Sequence, residues 1–298
     1  MKQSIKQSIM VSFVADALAL GVHWVYNTSD IDKKYNRLES MVAPEIVGWH
    51  KGKEKGAFTH YGDQSLVLLQ SLALSNGFNL DHFAESWQDL FQDYSGYQDH
   101  ATRETLANFS SGKTPMNAGS GSSDLGGASR MVVLAAWYHD QPGVLITACQ
   151  NQTAMTHNHP HVIASAELFA RTFLQVLAGT RPLEAILSAA DAMGADPVIK
   201  QAVKIGIDSK NQDTRAAIAQ FGQDCAVEAA LPSTIHLIAR YEDNLKDALV
   251  ENIMAGGDSS ARGMLAGFIL GAHNGADGIP EQWLKDMVHT NEILELLG

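Results

Sequence analysis

The sequence is poor in cysteine, proline and positive charge, and each shortage argues against a class of protein. Its 298 residues include only two cysteines, Cys149 and Cys225, so a disulfide framework is excluded and a reducing compartment is expected. The eight prolines and the abundance of Ala and Leu favour helices over a strand-rich sandwich. With 21 Lys and Arg against 33 Asp and Glu, the net charge of −12 disfavours binding to nucleic acid.

Long uninterrupted apolar runs are also missing. The segment from Ile9 to Leu20 follows Lys2 and Lys6 and therefore resembles a secretory signal. Asp16 lies in its middle and argues against both a signal and a membrane span. We therefore expect a soluble, cytoplasmic protein that does not contact a membrane. With 45% hydrophobic and 18% charged residues, most of the chain has enough apolar surface to fold around a core.

Apolar residues recur three and four positions apart through most of the chain. The first segment of this kind predicts a helix that ends near Gly21, with Ile5, Ile9, Phe13, Ala17 and Leu20 on one face. The same spacing predicts further helices at about 64–76, 81–93, 101–109, 124–138, 143–154, 160–178, 182–192, 197–208, 213–221, 232–240, 243–254, 259–273 and 279–297. Segments 24–62 and 110–123 are expected to be irregular. We predict a single all-α domain over residues 1–298.

The segment from Gly256 to Gly275 is the richest in candidate functional residues. Glycines recur every fourth position and predict a helix face against which another backbone can pack closely, at Gly263, Gly267, Gly271 and Gly275. Just before them, Asp258 is either a plain helix N-cap or, with Ser259 and Ser260, a source of oxygen ligands for a cation or a ribose. In the second interpretation, Gly256 and Gly257 let the backbone approach the ligand.

A second acidic turn, His60-Tyr61-Gly62-Asp63-Gln64-Ser65, precedes the apolar run at Leu66. Two helix N-termini that carry Asp could converge on one hard cation or one phosphorylated ligand, because free N–H groups and the helix dipole favour anions there. The alternative is two unrelated helix caps.

Two polar segments lie between these turns. In Thr156-His157-Asn158-His159-Pro160-His161 the histidines occupy alternate positions, but Pro160 is expected to start a helix and to separate their directions, so capping is favoured over a zinc site. One of these histidines could still contact a ligand anion. The run from Gly119 to Gly127 can expose consecutive N–H groups that suit a phosphate, or it is a flexible turn.

In order and spacing, these segments resemble the ADP-ribosylglycohydrolase family, an all-α family that removes ADP-ribose from proteins at a magnesium site. The family's opening Gly-Asp-x-x-Gly-x-x-x-Glu pattern resembles Ala15 to His23, and its Thr-Asp-Asp-Thr turn resembles Gly62 to Ser65. Its glycine-rich loop, its Thr-His-x-x-Pro segment and its Gly-Gly-Asp-Thr-Asp-Thr helix start resemble, in turn, the segments 121–130, 156–160 and 256–261.

The resemblance implies a site with altered chemistry. His23 takes the place of the family's catalytic Glu, and Gln64 and Ser260 each take the place of a metal-binding Asp. The implied catalytic residues are His23, Asp63 and Asp258. The implied ligand-binding residues are Asp16, Gly121, Ser122, Ser123, Asp124, His157, Gly257 and Ser259. The implied metal ligands are Asp63, Gln64, Asp258 and Ser260, which hold one Mg²⁺ at most, or none.

Two classes of function follow from the resemblance. The first is a hydrolase that cleaves a glycosidic bond of an ADP-ribosyl or related nucleoside group, with His23 as general base and with Asp63 and Asp258 orienting the ribose. The second is a non-catalytic protein, either a binder of an ADP-ribose-type ligand or a structural protein like the eye-lens crystallins that share this fold. The partner is then a small molecule or an ADP-ribosylated protein.

Overall fold

The chain forms α-helices, most of which begin at a residue that accepts a free amide hydrogen of the first turn or at a proline. A computed structural model describes residues 2–194 and 196–298. The helices are α1 Gln3–Ala19, α2 Thr28–Tyr35, α3 His60–Ser75, α4 Leu80–Leu90, α5 His100–Ser110, α6 Gly126–Ser129, α7 Ala135–Tyr138, α8 Pro142–Ala154, α9 Pro160–Leu177, α10 Pro182–Ala192, α11 Pro197–Asp208, α12 Thr214–Phe221, α13 Val227–Arg240, α14 Leu245–Met254, α15 Ser259–Asn274, α16 Glu281–Asp286 and α17 Thr290–Leu296. Within the described ranges, β-pairing is limited to single bridges, so the predicted all-α class is confirmed.

Three segments differ from the sequence prediction. The irregular segment 24–62 contains α2, whose short length and single buried residue, Ile31, leave almost no periodic signal. The predicted helix 124–138 is divided by a 3₁₀ turn at Arg130–Leu134. The predicted helix 279–297 is interrupted after α16, where the backbone extends and Val288 N donates to Gly56 O at 3.0 Å.

Helix α1 lies in the centre of the core. Every residue from Ser8 to Gly21 is buried, which explains why this segment is apolar on all sides. Within the described residues, no helix is long and apolar enough to cross a membrane.

Helix α15 packs closely on α1 along the predicted glycine face. A Cβ atom at Gly267 would lie 3.2 Å from Val11 O, and one at Gly271 would lie 3.0 Å from Val11 Cβ. Gly275 does not extend this face, because it ends α15 with a φ of 73°. The close approach brings the middle of α1 beside the N-terminus of α15, where the candidate site begins.

Candidate active site

Asp16 of α1 connects the N-termini of α3 and α15. Its buried carboxylate accepts hydrogen bonds from Thr59 N at 2.8 Å, from Thr59 Oγ1 at 2.6 Å and from Ser260 Oγ. Burial raises the pKa of Asp16, and these hydrogen bonds oppose that rise. Both carboxylate oxygens are therefore used within the protein. The predicted convergence of two helix N-termini is present, and Asp16 holds it together.

A tyrosine joins two buried carboxyl groups next to this convergence. Tyr61 Oη lies 2.7 Å from Asp124 Oδ2 and 3.1 Å from Asp258 Oδ2. Because a phenol has one hydrogen, only one of these contacts can be donated by Tyr61, and the other requires a protonated carboxyl group. Burial, together with the nearby Asp258 and Asp99, raises the pKa of Asp124 to about 7, and burial also raises that of Asp258.

Cys225 completes this acidic cluster. One ligand atom each of Asp124, Cys225 and Asp258 lies within 4.8 Å of the other two. Burial and the two carboxyl groups raise the pKa of the Cys225 thiol. The thiol therefore stays protonated, and it is unsuited to nucleophilic attack.

The glycine-rich loop lies against the segment that carries His157. Ser120 N donates to Thr156 O at 3.0 Å, and Asn158 N donates to Ser120 O at 2.8 Å. This pairing leaves Gly121 exposed, with Ser122 and Ser123 half-buried beside it. The loop is thus open to solvent directly before the buried Asp124.

His157 is buried behind the loop with one ring nitrogen unused. Its Nδ1 lies 2.9 Å from Thr156 Oγ1, whereas Nε2 has no hydrogen-bond partner among the residues described. Burial and the positive charge of Arg130 lower the pKa of His157 to about 3, so the imidazole is neutral. One ring nitrogen lies within 4.8 Å of carboxylate oxygens of Asp99 and Asp124. The segment 156–161 contains no carboxylate, and the fold places Asp99 and Asp124 beside His157.

Arg130 is buried beneath this segment rather than exposed to a ligand. Its guanidinium donates to Thr156 Oγ1, to Gln152 Oε1 at 3.3 Å and to Gln64 Oε1 at 3.2 Å. Gln64 Oε1 also accepts from Trp87 Nε1 at 2.7 Å. Arg130 thus orients Thr156, which in turn contacts His157.

A third group of side chains consists of histidines from three segments. His23, His50 and His60 are buried, and one ring nitrogen of each lies within 4.8 Å of the other two. His23 Nδ1 accepts from Ser260 N at 3.3 Å, which places its proton on Nε2. In that tautomer His23 is not a general base. His50 could not be found from sequence, because nothing in the irregular segment 24–62 predicts that it packs beside His60.

Asp63 lies apart from these clusters. Its carboxylate pairs with Lys53 Nζ at 2.5 Å and accepts from Tyr94 Oη at 2.5 Å. Asp63 is separated from α15 because of where α3 begins. Thr59 is the N-cap of α3, so Thr59 to Gly62 form the turn that meets α15. Asp63 lies further into α3 and faces the segments that carry Lys53 and Tyr94.

The residues predicted to bind magnesium do not fit that ion. Mg²⁺ requires oxygen ligands in octahedral geometry. Asp63 is paired with Lys53, Gln64 Oε1 accepts from Trp87 and Arg130, and Ser260 Oγ donates to Asp16. Of the four, only Asp258 belongs to a cluster whose donor atoms converge.

Gly257 and Ser259 flank Asp258 in the turn before α15. Gly257 has a φ of 65°, and a Cβ atom there would lie 2.1 Å from Gln223 O. The glycine is therefore required by the approach of another backbone segment. Ser259 is buried, and its Oγ has no hydrogen-bond partner among the described residues.

The family assignment comes from the whole chain. The model of the ADP-ribosylglycohydrolase family matches residues 1–298. The chain belongs to this family. A solved structure named as an ADP-ribosylglycohydrolase-related protein complex has the same fold, with a TM-score of 0.76 at 19% identity, over 99% of this chain and 95% of the other.

Known ADP-ribosylglycohydrolase relatives include an enzyme and a crystallin. ADP-ribosyl-(dinitrogen reductase) glycohydrolase of Rhodospirillum rubrum is 24% identical over 278 residues, which cover 92% of this chain and 86% of that protein. Crystallin J1A of Tripedalia cystophora is 24% identical over 311 residues, which cover 99% of this chain and 95% of the crystallin. The family is therefore established, and the choice between catalysis and a structural role depends on the site.

Proposed function

We propose that this protein hydrolyses a glycosidic bond of an ADP-ribosyl or related nucleoside group, using a site that differs from the family's magnesium centre. The observation that carries the proposal is the pair of carboxyl groups bridged by Tyr61. Asp124 and Asp258 share the phenol, so the cluster holds an additional proton near neutral pH. Most glycoside hydrolases use two carboxyl groups, one in each protonation state.

In this proposal the two carboxyl groups act in two steps, because their oxygens lie within 4.8 Å of each other and leave no room for a water between them. The protonated group donates to the leaving atom as its bond to the anomeric carbon breaks, and the ionised group bonds to that carbon through an oxocarbenium-like transition state. Water then replaces the ionised group at the anomeric carbon and gives its proton to the first group. His23 has no role as a base, because its available nitrogen carries a proton. No step requires magnesium.

The glycine-rich loop and His157 bind the substrate. Gly121, Ser122 and Ser123 present a loop that is open to solvent, where backbone N–H groups suit the phosphates. His157 lies behind this loop with Nε2 free to contact a phosphate or ribose oxygen. We place the protein in the cytoplasm, since Cys149 and Cys225 are both free thiols.

The proposal is tested with purified protein and a mono-ADP-ribosylated protein substrate, by measuring released ADP-ribose. Asp124→Asn and Asp258→Asn are each expected to lower turnover at least about 100-fold, because each removes a carboxyl group that the reaction requires. Asp32→Asn is the matched control, since Asp32 pairs with Arg215 at 2.7 and 2.8 Å, outside the site. Full turnover in both site variants would contradict the assignment.

Calorimetric titration of ADP-ribose into the same proteins separates the alternatives. Binding without turnover in the wild-type protein would replace the hydrolase by a ligand binder. Neither binding nor turnover would point to a structural protein. This second candidate rests on the match of crystallins J1A and J1B over 99% of this chain.

A further inference from the structure

The three buried histidines provide donors of a different kind from those of a magnesium site. His23 follows α1, His50 lies in the segment between α2 and α3, and His60 is the first residue of α3. One ring nitrogen of each lies within 4.8 Å of the other two. Imidazole nitrogen is a preferred ligand of Zn²⁺ and related transition ions, whereas Mg²⁺ prefers oxygen. We propose that His23, His50 and His60 bind one divalent transition-metal ion of the zinc class.

The spacing of two of the nitrogens matches a shared ion. His50 Nε2 and His60 Nδ1 lie 3.3 Å apart. Two imidazole nitrogens at about 2.0–2.1 Å from a tetrahedral zinc are separated by roughly 3.3–3.4 Å. In the metal-free protein, one hydrogen bond joins the two nitrogens. The bound ion would replace the hydrogen between them.

The far side of His60 faces a carboxylate. His60 Nε2 lies 3.2 Å from Asp99 Oδ2. The two atoms are not aligned for a hydrogen bond in the metal-free protein. A small rotation of the ring would align them, which would hold the proton on Nε2 and leave Nδ1 for the metal. The charge of Asp99 also offsets part of the cost of burying a cation.

His23 is the third ligand, and its Nε2 carries the independent observation. The side chain is fully buried, yet Nε2 has no hydrogen-bond partner among the described residues. Binding a metal through Nε2 moves the ring proton to Nδ1, so Ser260 N must give up its 3.3 Å contact with Nδ1. The new N–H then donates to Asp258 Oδ1, which lies 3.9 Å away in the metal-free protein and must approach. Burial and the neighbouring His50 and His60 hold the pKa of His23 well below its usual range, so the ring is neutral.

Trp24 covers the histidines in a strained conformation. Its φ is 62°, in the left-handed region that a bulky residue rarely adopts. The indole stacks on His23 with ring centroids 4.5 Å apart and contacts His60 at 5.3 Å. Such strain is typical of functional sites, and here it places an aromatic cover over the three imidazoles.

The test uses the full chain, stripped of metal with a chelator and titrated calorimetrically with zinc chloride and, separately, magnesium chloride. We expect one zinc per chain and no magnesium binding under the same conditions. His50→Gln is expected to weaken zinc binding by more than about 100-fold, because even outer partners of a metal ligand contribute about 10–100-fold. His161→Gln, in the other histidine-rich segment, is the matched control and is expected to bind zinc normally.

Cobalt(II) gives a second readout that needs no variant. In the wild-type protein, the visible spectrum of bound cobalt should be that of a four- or five-coordinate nitrogen site. The absence of zinc binding, unchanged binding in a folded His50→Gln protein, loss of binding in His161→Gln, or a six-coordinate cobalt spectrum would each overturn the inference. No substrate is used, so this result is independent of the proposed hydrolysis.

Discussion

At the scale of single residues, two glycines decide where the site's side chains lie. A Cβ atom at Gly126 would be 2.1 Å from the Tyr61 ring, and one at Gly127 would be 2.4 Å from the His157 ring. Tyr61 and His157 can therefore reach the acidic cluster only because both positions lack a side chain. From sequence, these glycines belonged to a run that was either a phosphate loop or a flexible turn, and the structure shows that they make room for two aromatic rings.

Gly127→Ala is expected to displace His157 and weaken ADP-ribose binding about 10-fold or more, at a cost of about 1–3 kcal/mol in stability from overpacking. Calorimetric titration and chemical denaturation measure the two effects. Gly143→Ala in α8, outside the site, is the matched control, because a Cβ atom there meets nothing within 4 Å. Equal binding by the two variants would show that the position of His157 is unimportant.

At the scale of helices, the contact between α1 and α15 determines whether the site assembles. Asp16 lies on α1 and Ser260 lies in the first turn of α15, so the hydrogen bond between them depends on how closely the two helices approach. Gly267 and Gly271 permit that approach. The glycine spacing alone predicts a close packing face, but it does not identify α1 as the partner.

Gly267→Leu is expected to separate α1 from α15 and to lower the free energy of unfolding by about 1–3 kcal/mol or more, because the new side chain has no space. Denaturant unfolding measures this loss. Gly143→Leu in α8 makes the same chemical change where a Cβ atom meets nothing within 4 Å, and it is expected to leave stability nearly unchanged. A similar loss in both variants would contradict the packing argument.

Helix positions were largely predictable, and the exceptions have physical causes. The long segments α8 to α11 begin within a residue of their predicted starts, since proline at the first helical position marks each of them. Helix α2 was missed because a short surface helix with one buried residue has no apolar stripe. The break after α16 was missed because it depends on a backbone hydrogen bond from Val288 to Gly56, which is distant in sequence.

At the scale of the whole molecule, buried acid groups link stability to pH. The pKa of Asp124 is raised from 3.8 to about 7. The folded protein therefore binds this proton more tightly than the unfolded chain does. The stabilisation of the folded state that this proton provides is complete below pH 3.8 and is lost as the pH rises to about 7.

Asp124→Asn is expected to remove this part of the pH dependence. The difference in unfolding free energy between wild type and variant should fall as the pH rises from about 4 to about 7, by about 1.4 kcal/mol per unit of pKa shift. Denaturant titrations across this range measure it. Asp93→Asn, which removes an exposed carboxyl group, is the control, and parallel curves for wild type and Asp124→Asn would rule out the shift.

Fold class, family and several polar segments near the site could be read from the amino-acid sequence, because periodicity, helix caps and motif order are local properties. Which side chains meet depends on how the helices pack. Asp63 is directed towards Lys53 because Thr59 is the N-cap of α3, which places Asp63 inside the helix and not at the turn before it. Asp124 met Asp258 through Tyr61, and His50 met His60, because helix packing brings together residues far apart in the chain, and no local pattern encodes those distances.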